Sequence, residues 1–72
     1  MAPSFLIALR GYDMQQVDAL LAQADEGLAS DSEALRRSAR DALRTATFRQ
    51  RLRGYATREV DDAIAQRLRA LE

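Results

Sequence analysis

Leu9-Arg10-Gly11-Tyr12 returns later in the chain as Leu52-Arg53-Gly54-Tyr55. The match continues at the same offset: Phe5 falls on Phe48, Val17 on Val60, Asp18 on Asp61, and Ala22-Gln23 on Ala65-Gln66. A repeat of fixed period is the signature of one supersecondary unit used twice. Each unit reads Phe-x-x-x-Leu-Arg-Gly-Tyr-x-x-x-x-Val-Asp, followed by a helical run. The 72 residues therefore divide into a first unit at about 5–29, a linking helix at about 31–47 and a second unit at about 48–72. Together they make a single domain.

Outward from the first turn, residues 1–4 read as a loose terminus and Phe5 to Leu9 as a short apolar segment. Asp13 is an N-cap candidate, and Gln16 three residues on completes a capping-box pattern. Val17, Leu20, Leu21, Ala24 and Leu28 then recur at helical spacing, which predicts helix one over about Asp13 to Ala29. Ser30 and Glu33 form a second capping-box pattern. Either the helix breaks there or it continues with a bend. The spacing favours a break, because Asp31 would fall on the apolar stripe.

Helix two is expected from about Asp31 into the low fifties. Its apolar positions (Ala34, Leu35, Ala39, Ala42, Leu43, Ala46) are mostly small, and Arg36, Arg37, Arg40 and Arg44 clothe the other face. Gly54 suits a left-handed residue closing that helix. Helix three follows, capped by the Thr57 hydroxyl, with Val60, Ile64, Leu68 and Leu71 as its stripe. Its acids cluster early and its Arg late, matching the helix dipole. No stretch alternates as a strand does. The expected class is all-α, three helices in a small bundle or hairpin.

A chain of this length is near the lower limit for an independent core. Dimerisation is therefore expected to complete the fold. The self-association stripe would comprise Val17, Leu20, Leu21, Leu28, Val60, Ile64, Leu68 and Leu71. Cysteine and histidine are both absent, which removes thiolate chemistry, the commonest general base and the commonest metal ligand. The composition points away from an enzyme and implies no cofactor or metal. No apolar run approaches the ~18 residues of a membrane span, and no signal-peptide pattern appears. The expected location is cytoplasmic.

Net charge is zero but unevenly spread. Met1 to Leu35 carries one Arg against six acids, Arg36 to Arg58 eight Arg against Asp41 alone, and Glu59 to Glu72 two Arg against four acids. The Arg-rich span could bind phosphate on nucleic acid or anionic lipid. Its aromatic interleaving is thin and no nucleic-acid motif is present. A solvated face complementing acidic helix one is the preferred reading, and a nucleic-acid module is the alternative.

At the turns, Gly11 and Gly54 supply turn geometry and Tyr12 and Tyr55 supply buried area. Leu9 with Arg10, and Leu52 with Arg53, are the candidate membrane contacts. An apolar side chain beside a guanidinium suits a lipid interface, where one inserts and the other meets phosphate. Asp18 and Asp61 lack partners for catalysis or metal binding. They are expected to brace the turns by ion pairs with Arg10 or Arg53.

At these residues the sequence resembles the DivIVA domain of Gram-positive bacteria. Phe5, Arg10-Gly11-Tyr12-Asp13, Val17-Asp18 and Leu21 carry the likeness in the first copy. In the second it rests on Phe48, Arg53-Gly54-Tyr55, Val60-Asp61 and Ile64. Two tandem copies are similar to actinobacterial DivIVA-repeat proteins. The resemblance implies a self-associating scaffold of cell division or polar growth, peripheral to the inner face of the cell membrane. In that family the helix after the turn dimerises, and an exposed apolar residue with Arg at the turn binds membrane. Three features depart from the pattern. Leu stands where the best-known member has Phe, Ala56 replaces an acidic residue, and nothing within these 72 residues resembles the family's long C-terminal coiled coil.

Overall fold

The computed structural model describes residues 5–72; the loose terminus expected over residues 1–4 lies outside the described residues. Both copies of the repeated stretch fold as strand, tip, strand. In the first, β1 (Ile7–Ala8) and β2 (Gly11–Tyr12) flank Leu9-Arg10, and in the second, β3 (Gln50–Arg51) and β4 (Gly54–Tyr55) flank Leu52-Arg53. Helices α1 (Met14–Ala29), α2 (Glu33–Arg44) and α3 (Thr57–Leu71) complete the chain. The protein is mostly helical but not all-α. Strands of two residues are too short for alternation to register in sequence, and their partners lie some forty positions away.

The two copies interlock rather than close on themselves. Strand order is β1-β4-β2-β3, with every neighbour antiparallel. β1 pairs with β4, Ile7 opposite Tyr55 and Ala8 opposite Gly54. β2 pairs with β3, Tyr12 opposite Gln50 and Gly11 opposite Arg51. Under the repeat alignment each pairing is the image of the other, so the copies are related by an approximate two-fold.

This crossing explains the repeated glycine. A Cβ added at Gly11 would lie 2.6 Å from the Gly54 carbonyl carbon, and one at Gly54 2.6 Å from the Gly11 carbonyl carbon. Neither glycine has positive φ. Gly54 is therefore a strand residue at a backbone crossing, not the left-handed helix terminus expected.

Helix ends follow local chemistry. Asp13 caps α1, accepting from the Gln16 N–H at 3.0 Å. Gln16 does not close the box. Its Oε1 accepts from the Arg49 N–H at 2.8 Å, while the Asp13 N–H donates to the Arg49 carbonyl at 2.8 Å. The break after Ala29 is present, with Ser30 ending α1 and Ser32 capping α2 through the Leu35 N–H at 3.3 Å.

Helix α2 stops at Arg44, well short of the low fifties. There the Thr45 hydroxyl donates to the Asp41 carbonyl at 2.8 Å, and the chain must turn back to enter β3. Thr57 is the first residue of α3 and not its cap; the cap position is Ala56, which has no side-chain acceptor.

Two adjoining clusters form the core. Val17, Leu21, Tyr55 and Val60 lie beneath the sheet, joined by Phe5, Tyr12, Phe48 and Ile64. Ala24, Ala39, Leu43 and Leu71 fill the three-helix end, with Leu20, Leu28, Ile64 and Leu68 against them. The expected self-association stripe thus packs inside one chain. Helix α2 folds back on α1 at Gly27, where a Cβ would meet the Ala39 methyl at 2.6 Å.

Candidate functional site

Leu9 and Leu52 form the two tips, and 87% and 80% of their surface is exposed. A large apolar side chain that could turn inward is instead held out by the strands on either side. Arg10 and Arg53 beside them are exposed as well. Among the described residues neither guanidinium makes an ion pair. Each tip therefore offers one uncommitted apolar group and one uncommitted cation.

The interlocked pairs behind the tips hold them in place. The Tyr55 hydroxyl donates to Asp18 at 2.9 Å, and the Tyr12 hydroxyl donates to Asp61 at 3.0 Å. Asp18 and Asp61 therefore brace the turns through tyrosine from the opposite copy, not through Arg10 or Arg53. Tyrosine wins because its ring is already anchored beneath the sheet, whereas a pair with an exposed Arg would have to order a long side chain for little gain. The hydrogen bond to Asp18, with burial second, raises the Tyr55 pKa above its ordinary value. For Tyr12 burial acts first and the Asp61 bond second, in the same direction.

Aromatic contacts repeat the pattern. Phe5 meets Tyr55 edge-on at 5.1 Å, and Phe48 meets Tyr12 at 5.0 Å. The Leu6 N–H donates to Glu59 at 3.2 Å just as the Arg49 N–H donates to Gln16. Sequence reasoning missed Gln16 and Glu59 in this role, although they are equivalent positions of the repeat. The recurrence of Phe seven residues before each Tyr was the available signal for the ring pairs.

One brace is not duplicated. Asp13 also accepts from the Arg51 guanidinium at 2.9 Å, and the backbone N–H of Gln16 with this Arg holds its carboxyl below the usual range. Ala56 and Ala8 occupy the equivalent places and can form no such pair.

The remaining arginines divide between structure and solvent. Arg40 donates to Glu33 at 2.9 Å and to the Leu71 carbonyl at 3.1 Å, and Arg44 pairs with Glu72 at 2.8 Å. The Arg face of α2 thus serves the last turn of α3 more than acidic helix one. Arg67 pairs α3 with α1, through Asp25 at 3.0 Å. No group of acids able to hold a metal occurs among the described residues. Among the described residues no helix is long and apolar enough to cross a membrane. Compared with family models, curated proteins and solved structures, the chain matches none.

Proposed function

We propose that this chain is a non-enzymatic helical scaffold module of DivIVA type whose Leu-Arg tips contact an anionic membrane surface, in cell division or polar growth. The observation that carries the reading is the exposure of Leu9 and Leu52 beside Arg10 and Arg53, which make no ion pair among the described residues. Holding two leucines in water is unfavourable unless something covers them. A lipid interface covers the leucine and pairs the guanidinium with phosphate in one step. Self-association in this reading uses surface outside the core stripe, since Val17, Leu21, Val60 and Leu71 are buried within one chain.

Sedimentation with phosphatidylglycerol-containing vesicles tests the membrane contact. The protein should pellet with them, and Leu9→Ala combined with Leu52→Ala should leave it in the supernatant. A wild-type protein that stays in the supernatant defeats the reading. Light scattering tests the scaffold half, for which a strict monomer at all concentrations would be contrary.

A further inference from the structure

The approximate two-fold breaks at the sheet edges. β1 and β3 are the outer strands and occupy equivalent places. The first edge reads Leu6-Ile7-Ala8-Leu9, and the second reads Arg49-Gln50-Arg51-Leu52. Leu6 is 70% exposed and Ile7 53%, so with Leu9 three large apolar side chains face water. They fall within four consecutive residues, a span of about 10 Å. On the second edge Arg49 and Arg53 are exposed and in no ion pair among the described residues, as is Arg10 at the first tip, while Arg51 is committed to Asp13. Edge strands are ordinarily blunted by charge. Here β3 follows that rule and β1 does not.

We propose that the sheet end docks on an anionic bilayer unequally. Leu6, Ile7 and Leu9 of the first copy enter the apolar layer, and Arg49 and Arg53 of the second grip lipid phosphates. This deepens the membrane-contact reading and rests on it. Two strands of equal descent have taken up the two halves of interfacial binding, burial of apolar area and attraction to anionic headgroups.

The charges at this end decide between occupants. The segments that build the sheet, residues 5–13 and 48–56, carry Arg10, Arg49, Arg51 and Arg53 against Asp13. Two copies meeting by this end would bring like charges together, which disfavours self-docking. A nucleic-acid backbone would satisfy the arginines but leave Leu6, Ile7 and Leu9 in water. An anionic bilayer satisfies both edges.

The chain has no tryptophan, so Leu9→Trp and Leu52→Trp each introduce a sole tryptophan, which can be excited apart from Tyr12 and Tyr55. Both are mixed with vesicles of phosphatidylcholine and phosphatidylglycerol carrying brominated acyl chains. Quenching at position 9 is expected to exceed that at position 52 by about threefold or more. In sedimentation, Leu6→Ser with Leu9→Ser should lower partitioning about tenfold, and Leu52→Ser less than about twofold. Arg49→Gln with Arg53→Gln should weaken the preference for anionic over pure phosphatidylcholine vesicles more than Arg10→Gln does. All of these positions are exposed, and circular dichroism confirms that each variant is folded.

Equal quenching at both tips, or a loss from Leu52→Ser equal to that from Leu6→Ser with Leu9→Ser, overturns the unequal docking while leaving the membrane reading intact. Failure of the wild-type protein to pellet with anionic vesicles removes both.

Discussion

The Tyr55 hydroxyl donates to the Asp18 carboxylate at 2.9 Å across 37 positions of sequence, joining the second copy of the repeat to the first. Tyr55 is only 8% exposed, and its counterpart Tyr12, bonded to Asp61, is the more open of the two. The symmetric pairs should therefore differ in worth. Tyr55→Phe strands a partly buried carboxylate and should cost about 1–2 kcal/mol, against less than about 1 kcal/mol for Tyr12→Phe. Urea unfolding of the two single variants checks the order, and equal losses would contradict it.

The same bonds set an alkaline limit. Both tyrosines have raised pKa values in the folded state, from the aspartates and from burial. A raised pKa means the folded chain holds the proton more tightly than the unfolded chain. This stabilisation is complete below the unfolded value near 10 and is lost as pH rises through the folded values. Thermal melts should fall steeply above about pH 10, and Tyr12→Phe with Tyr55→Phe should flatten that fall.

At the acid end the sign reverses. Asp13 is held low by the Gln16 N–H and then by Arg51, and Glu33 is held low by Arg40. Their contribution is present above the unfolded carboxylate range and lost as pH falls through the lower folded values. A melt series from about pH 6 to pH 2 should show the loss beginning near pH 4. Asp13→Asn should shrink it.

Ala56 sits at an N-cap with φ −54° and ψ 123°, nearly the −53° and 121° of Asp13. The backbone is ready for a cap that the side chain does not supply. Ala56→Asn should raise stability by about 0.5–1 kcal/mol by accepting from the Glu59 N–H. Asparagine is preferred over aspartate there because Glu59 is close. A higher melting temperature, by a few degrees, is the expected readout.

Gly27 and the crossing glycines make a contrasting set. Gly27→Ala improves helix propensity by about 1 kcal/mol, yet the new methyl would meet the Ala39 methyl at 2.6 Å. Overpacking should win, with a net loss of about 1–2 kcal/mol. Gly27→Ala with Ala39→Gly should recover much of it. At Gly11 or Gly54 the obstacle is backbone, which cannot retreat, so Ala at either should be worse than at Gly27. Denaturation midpoints rank the three.

The local features were legible because local chemistry decides them. Asp13 as a cap, the stripe of α1 and the break near Ser30 all follow from side chains within a few residues of one another. The repeat gave the internal relation between copies, and with it the prominence of Leu9-Arg10 and Leu52-Arg53. The strands were not legible, because each is two residues long and exists only through a partner about forty positions away. The end of α2 at Arg44 was hidden for a related reason. Phe48 and Leu52 have helical spacing, but Phe48 is needed against Tyr12.

Sequence by itself thus determined that one unit occurs twice, where its helices begin, and which tip residues recur. Only the tertiary structure decided that the two units cross, so that each Tyr meets the other copy's Asp and each Gly the other copy's backbone. A repeat states that two segments are alike, but not whether each packs on itself, on its twin or on another chain. That choice rests on long-range burial and hydrogen bonding, which no local pattern encodes.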